Sequence, residues 1–133
     1  MLDHTLEVSA ARAGNDVALA MSFARSSLEV MEAQRLRYRV FAGEMGARLP
    51  GAVPGIDCDL YDAHCEHLLV RDTGTGEVVG TYRLLPGLKA RELGSFYADS
   101  EFDLTRLRHL RDATVEIGRS CVHPDYRTGA TIA

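Results

Sequence analysis

The sequence predicts an α/β domain of the α+β kind, in which a mixed, mostly antiparallel sheet is flanked by helices. Three observations favour this class. The 133 residues are 46% hydrophobic and 26% charged, which is the composition of a single globular domain. Residues 27–45 carry apolar side chains at helical period. Residues 67–85 contain two apolar runs separated by a Thr-Gly-Thr-Gly turn, the pattern of a β-hairpin.

The N-terminal elements follow from local pattern. Residues 1–15 have weak periodicity and are predicted to form a loose leader, so the predicted domain covers residues 16–133. Its first strand is expected over residues 16–24. A helix over Ser27–Met45 should follow, because Ser26 and Glu29 have capping-box spacing and Gly46 suits a helix end.

The rest of the chain alternates between loops and strands. Two prolines and two glycines within residues 49–55 end the helix and predict a loop, which continues into an acidic stretch. The hairpin pairs residues 67–72 with 77–85, and residues 113–122 alternate like a further strand. Between them, residues 86–112 are predicted to be irregular apart from a short helix over about residues 104–110.

The C-terminal residues suggest a phosphate-binding loop. A proline turn at Pro124 follows the last strand, and the backbone N–H groups beyond it would face outward at a helix N-terminus, an arrangement that binds pyrophosphate. The predicted loop is formed by Val122, Arg127, Thr128, Gly129 and Ala130. The domain is expected to be truncated at this loop, because a helix starting there has no length in which to bury a face.

Composition excludes several classes of function. A formal charge of -4, with arginines interleaved among acidic residues, argues against nucleic acid as a partner. The longest apolar run near the N-terminus, residues 17–21, is far shorter than the ~20 residues of a membrane span, so no signal peptide or transmembrane helix is predicted. Three cysteines without an export signal predict reduced thiols and a cytoplasmic protein, with a position at the inner face of the membrane left open.

The cysteines do not predict a metal site or a nucleophile. Cys58, His64, Cys65 and His67 lack the paired spacing of structural zinc sites, so no metal is predicted. Cys121 lies near the phosphate loop but is better interpreted as a small buried thiol.

One helix face carries candidate functional groups. Arg37, Phe41 and Glu44 have helical spacing and should point towards the same neighbouring surface. They form either a solvated face or part of a substrate cleft. The cleft is favoured, because groups of opposite charge are expected to pair when partly buried.

The order of elements resembles the N-terminal half of the Gcn5-related N-acyltransferase fold. The resemblance from about residue 28 to the end extends to the ornithine-acyl-ACP N-acyltransferases of ornithine-lipid biosynthesis, a family similar to the acyl-homoserine-lactone synthases. It rests on the blocks Leu36–Gly46, Asp57–Asp62, His67–Val70, Val79–Leu85, Gly94–Tyr97, Ser100–Leu104 and Glu116–Ala130.

This resemblance implies a reaction. A 3-hydroxyacyl chain would pass from acyl carrier protein directly to the α-amine of ornithine or a similar small amine, with the acyl-phosphopantetheine thioester as donor and no permanently bound cofactor. Ile132 replaces a small residue of the family's loop, which favours acyl carrier protein over acyl-CoA. The chain alone is expected to be inactive, and peripheral membrane contact through the lipid product is left open.

Two alternatives remain. One is an acyl-homoserine-lactone synthase. Met45 argues against it, because those synthases have a tryptophan at this position. The other is a non-catalytic module that binds the acyl carrier.

The resemblance also implies site residues. The predicted loop of Val122, Arg127, Thr128, Gly129 and Ala130 would be the phosphopantetheine-binding segment. Glu116, on the strand before the phosphate loop, would act as the base directly or through water. The alternative is a structural ion pair with Arg83 or Arg119. The amino-substrate cleft of the homoserine-lactone synthases is matched by Arg37, Phe41, Asp57 or Asp59, Asp62, Arg83, Glu116 and Arg119.

Overall fold

A five-stranded antiparallel sheet runs in sequence order across the molecule. The computed structural model describes residues 6–12, 15–47 and 53–127, with side chains described from residue 17 onward. The prediction of a mostly antiparallel sheet flanked by helices is confirmed. The strands are β1 (Leu6–Arg12), β2 (Asn15–Phe23), β3 (Glu66–Asp72), β4 (Val78–Pro86) and β5 (Val115–Val122).

Strand β1 corrects the prediction that residues 1–15 form a loose leader. It pairs with β2 from Leu6↔Met21 to Arg12↔Asn15. The alternation of apolar residues in this segment is too short to predict a strand by itself. The strand forms because it pairs with β2 in the sheet. The domain boundary at residue 16 stays a prediction.

The predicted hairpin of β3 and β4 is confirmed, and its turn is held by Asp72. The Oδ1 atom of Asp72 accepts the backbone N–H of Gly74 at 2.8 Å, and its Oδ2 atom accepts the hydroxyl of Tyr126 at 2.6 Å. A single carboxylate therefore joins the turn to the segment that follows β5.

The predicted helix over residues 27–45 has two parts. An α-helix, α1, covers Ser27–Tyr38, and a π-helical segment continues over Arg39–Glu44. Ser26 caps α1 as predicted, since its Oγ atom accepts the Glu29 N–H at 3.2 Å, although Glu29 in turn accepts the N–H of Arg25 and not that of Ser26. The helix ends where Gly46 takes a φ of 67°, a left-handed conformation that suits glycine.

Residues 86–112 contain more structure than predicted. Helix α2 covers Gly87–Leu93, and 3₁₀ helices cover Tyr97–Ser100 and Thr105–Ala113, the latter where a short helix is predicted. Further 3₁₀ turns cover Asp62–His64 and Pro124–Tyr126. The helix expected after the phosphate loop lies outside the described residues.

Helix α1 packs on the sheet to form the largest core cluster. This cluster contains Ala33, Leu36, Val40, Leu69, Val78 and Cys121. A second cluster joins Leu85 on β4 to Ala90 on α2 and to Phe96. Tyr61 and Cys65, from the segment between α1 and β3, pack against this second cluster. Within the described ranges, no helix has the length and apolar character to cross a membrane.

Candidate active site

Three arginines and three aspartates from four separate segments form a charged cluster beside the sheet. Arg37 comes from α1, Arg83 from β4 and Arg119 from β5, while Asp57, Asp59 and Asp62 come from the loop between α1 and β3. We call these six residues the ion network. All six are predicted site residues, and the structure brings them together.

Arg37 lies at the centre of the ion network and is only 1% exposed. Its guanidinium makes a bidentate contact with Asp62, at 2.9 and 2.8 Å, and its Nε donates to Asp57 at 2.9 Å. This burial excludes the interpretation that Arg37 lies on a solvated helix face. Because its N–H donors are used by Asp57 and Asp62, Arg37 fixes the position of the loop between α1 and β3.

Arg83 makes the second bidentate contact, with Asp59. The two distances are 2.6 and 2.9 Å, and the same guanidinium donates to Asp62 at 2.9 Å. Asp62 therefore bridges two arginines. Although burial opposes its ionisation, the hydrogen bonds and charges of Arg37 and Arg83 hold the pKa of Asp62 well below its usual range.

Arg119 belongs to the network through longer contacts and lies at an irregular point of β5. Thr81 pairs with Cys121 and Arg83 with Gly118, so β5 has one extra residue opposite Tyr82. At this bulge Arg119 has a φ of 50°, which is uncommon for a residue with a side chain. Its guanidinium lies 3.4 Å from Asp57 and Asp59 and above the ring of Tyr97.

Glu116 is held by the backbone, in a way that neither sequence-based alternative describes. Its two carboxylate oxygens accept the N–H groups of Tyr97 and Ala98, each at 2.8 Å. Within the described part of the chain, neither Arg83 nor Arg119 pairs with it, so the predicted structural ion pair is wrong. Glu116 instead caps the 3₁₀ helix that begins at Tyr97, and its role as a base stays a prediction.

A cavity of about 220 Å³ opens between this 3₁₀ helix and β5. We call it the central cavity. Arg83, Glu116 and Arg119 line it, together with residues that the sequence did not single out, among them Tyr61, Tyr97, Glu101, Phe102 and Ile117. Tyr61 and Tyr97 meet edge to face, with ring centroids 5.6 Å apart, and the Arg83 guanidinium lies over both rings. The cavity thus combines aromatic walls with charges of both signs.

The three groups of the predicted helix face have different surroundings. Phe41 packs against the core cluster under α1. Glu44 is exposed and makes a bidentate ion pair with Arg127, at 2.6 and 2.7 Å. The hydrogen bond from Arg127 lowers the pKa of Glu44. Neither Phe41 nor Glu44 lines the central cavity.

Only part of the predicted phosphopantetheine segment is described. The Nε of Arg127 donates to the backbone oxygen of Val122 at 3.2 Å, so Val122 and Arg127 are in contact at the end of β5. Thr128, Gly129 and Ala130 lie outside the described residues.

The three thiols are free, and burial raises the pKa of each. It reaches about 12 for Cys121, which is buried, and about 11 for Cys65. A nucleophile needs a thiolate, so these values do not favour covalent catalysis by either group. Among the described residues, no three His, Cys, Asp or Glu side chains are grouped to hold a metal ion.

The fold and the cavity together define an α+β domain with a charged cavity beside a bulged strand. Residues 36–133 match the family model described as acetyltransferase (GNAT) domain, and the chain belongs to this family.

Curated relatives identify the part of the family to which the chain is similar. It is 44% identical over 120 residues to the L-ornithine N(alpha)-acyltransferase of Rhodobacter capsulatus, a match that covers 82% of this chain and 45% of that protein. It is 46% identical over 123 residues to the protein of the same name from Rhizobium meliloti, covering 86% of this chain and 42% of that protein. The predicted resemblance is confirmed, and the chain spans less than half the length of these relatives.

Solved structures support the fold. The acyl-homoserine-lactone synthase LasI aligns with a TM-score of 0.55 at 17% identity, over 84% of this chain and 56% of that one. TofI, solved with an inhibitor and MTA, aligns with a TM-score of 0.53 at 24% identity, over 78% of this chain and 56% of that one.

Proposed function

We propose that this chain is part of an N-acyltransferase that moves a 3-hydroxyacyl chain from acyl carrier protein to the α-amine of ornithine. The observation that carries the proposal is the identity of 44 to 46%, over 120 to 123 residues, to proteins named L-ornithine N(alpha)-acyltransferase. Membership of the GNAT family supports the reaction class.

The reaction needs little covalent chemistry from the protein. The neutral α-amine attacks the thioester carbonyl, a C–N bond forms, and the C–S bond to the pantetheine sulfur breaks. The α-ammonium first loses one proton to a base. The nitrogen loses a second proton as the amide forms, and the departing thiolate takes up that proton. Positioning and charge stabilisation are the protein's main contributions.

Glu116 is the base in this proposal. Each of its carboxylate oxygens accepts one backbone N–H, and each keeps further acceptor capacity on the side of the cavity. The backbone contacts fix the orientation of the carboxylate, so it needs no reorganisation when the amine arrives. The ion network keeps Arg119 and the loop from residue 57 to 62 in place beside it.

An apolar groove next to the central cavity supports an acyl donor. It has a volume of about 220 Å³, shares Ala98 and Glu116 with the central cavity, and is lined mainly by Phe96, Leu104, Leu107 and Leu110. Such a lining favours hydrocarbon over polar ligands, since each buried methylene contributes about 0.8 kcal/mol. The groove is the acyl-chain site of this proposal, and acyl carrier protein is its donor.

The test uses a full-length version, by which we mean a protein that contains these residues and spans the length of the relatives. It is incubated with 3-hydroxyacyl carrier protein and ornithine, and N-acylornithine is measured by mass spectrometry. Acyl-CoA replaces the donor, and S-adenosylmethionine the acceptor, in parallel reactions. We expect product with ornithine and higher kcat/KM with the carrier protein.

Three outcomes would overturn parts of this proposal. An acyl-homoserine lactone as the main product would favour a synthase, and equal kcat/KM with acyl-CoA would remove the donor preference. Carrier binding without turnover would favour a non-catalytic module. The same assay on the 133-residue chain tests the expectation that it is inactive alone.

A further inference from the structure

Glu101 is an exposed carboxylate that lines the central cavity. It follows the 3₁₀ helix Tyr97–Ser100 and lines the cavity together with Glu116 and Arg119. Among the described residues, no hydrogen bond or ion pair involves its side chain, whereas Glu116 accepts two backbone N–H groups. Glu101 therefore offers the cavity an uncommitted negative charge.

The other groups that line the central cavity offer a ligand a cation, a second carboxylate and an apolar wall. The Arg119 side chain is 25% exposed, and its guanidinium lies 3.4 Å from the aspartates and over the Tyr97 ring, so it keeps capacity for an anion. Glu116 can accept a hydrogen bond from an amine. Phe102 and Ile117, both largely exposed, supply an apolar wall between the polar groups of the cavity lining.

We infer that Glu101 binds the side-chain ammonium of a diamino-acid acceptor and so selects it over neutral amino acids. This inference rests on the proposed function. The acceptor carries one carboxylate and two amines, which correspond to Arg119, Glu116 and Glu101. Its methylenes lie along Phe102 and Ile117. Glu101 is thus a specificity-determining residue, whereas Glu116 faces the reacting amine.

Charge accounts for the selectivity. A neutral amino acid of the same length leaves Glu101 hydrated but unused, whereas a diamino acid gains a charge-assisted hydrogen bond. Such bonds are typically worth ~10- to 100-fold in affinity. The contact is the same before and after the chemical step, so it acts on KM more than on kcat.

The experiment compares ornithine with 2-aminopentanoate, which has the same carbon chain without the terminal amine. Glu101→Gln in the full-length version should raise the KM for ornithine ~10- to 100-fold and affect the KM for 2-aminopentanoate far less. The matched control is Glu77→Gln, an exposed carboxylate in the hairpin turn that does not line the cavity. This control should change the KM for neither acceptor.

Binding of both acceptors, measured by calorimetry without donor, separates this inference from the proposed function. If binding is selective and Glu101-dependent but no acylation occurs, the acceptor site stands and the proposed function fails. If acylation occurs but Glu101→Gln affects both acceptors equally, or the parent protein does not distinguish them, the inference is wrong.

Discussion

The contacts of Glu116 determine how its replacement must be interpreted. From the sequence alone, Glu116→Gln keeps the shape and removes only the base. In the structure both oxygens accept backbone N–H groups, and a glutamine can provide one acceptor but presents its own NH₂ to the other. We therefore expect kcat to fall ~10²- to 10⁴-fold and the free energy of unfolding to fall by about 1 kcal/mol.

Asp99→Asn is the matched control for Glu116→Gln. Asp99 accepts the N–H of Phe96 at 2.7 Å, at the start of the same 3₁₀ helix, and pairs with Arg111, but it does not line the central cavity. It should lose similar stability with kcat nearly unchanged. Steady-state kinetics and thermal melts of both variants decide the matter. Parallel losses of kcat and stability in the two would make Glu116 a helix cap alone.

Arg37 should behave as a structural residue of the site. Arg37→Ala leaves Asp57 and Asp62 buried without their main partner, and losing one member of a buried pair costs ~3 to 5 kcal/mol. Arg37→Lys keeps the charge but cannot make the bidentate contact, so it should recover only part of the loss. Urea denaturation measures the free energy of unfolding of both variants. A stable Arg37→Ala variant with a raised ornithine KM would instead place Arg37 in direct contact with the acceptor.

At the scale of elements, Gly87 controls how closely α2 approaches the 3₁₀ helix Thr105–Ala113. A Cβ atom at Gly87 would lie 1.7 Å from the backbone oxygen of Arg111, so the two segments would have to separate. Gly87→Ala should therefore lower the free energy of unfolding by ~1 to 3 kcal/mol in urea titrations. Gly43→Ala, where a Cβ would meet nothing within 4 Å, should not destabilise the protein. Equal stability of both variants would contradict this packing.

The 3₁₀ helix also sets the wall of the apolar groove. With three residues per turn, Leu104, Leu107 and Leu110 lie along one side. Leu107→Trp should shorten the groove and lower kcat/KM for long-chain donors ~10-fold or more, with little change for short-chain donors. Leu88→Trp is the control, since Leu88 is similarly exposed on α2 outside the groove. A uniform loss over all chain lengths would mean that the acyl chain lies elsewhere.

The sequence predicted those structural features that a few neighbouring residues specify. The hairpin turn and the Ser26 cap were found because a few neighbouring residues specify them. The end of α1 was not found, because apolar spacing does not distinguish an α-helix from the π-helical segment Arg39–Glu44. Helix α2 was missed because seven residues beginning at a glycine carry no clear periodicity.

At the scale of the whole molecule, the ion network depends on contacts that no local pattern contains. Arg119 and Asp59 are 60 positions apart, and Arg37 and Asp57 are 20 apart. Family resemblance identified these residues as a set, but not which pairs form. It also gave no site role to Glu101 and Tyr97, which line the cavity where the 3₁₀ helix Tyr97–Ser100 faces β5.

The network should make stability fall in acid. Because Arg37 and Arg83 depress the pKa of Asp62 below its ordinary value of 3.8, the unfolded chain binds a proton there more readily than the folded one. The stabilisation is therefore complete above this ordinary value and is lost as the pH falls through the folded pKa. For one such carboxylate it amounts to about 2 kcal/mol.

Urea titrations from about pH 7 to about pH 2 test this, with Asp62→Asn as the decisive variant. The parent protein should lose stability progressively as the pH falls below the ordinary pKa values of its carboxylates. Asp62→Asn should be less stable at neutral pH and should show a shallower dependence, since the titrating group is gone. Asp112→Asn, which removes an exposed partner of Arg91, should keep the parent's slope. The same slope in Asp62→Asn would mean that other carboxylates, and not the centre of the ion network, control acid unfolding.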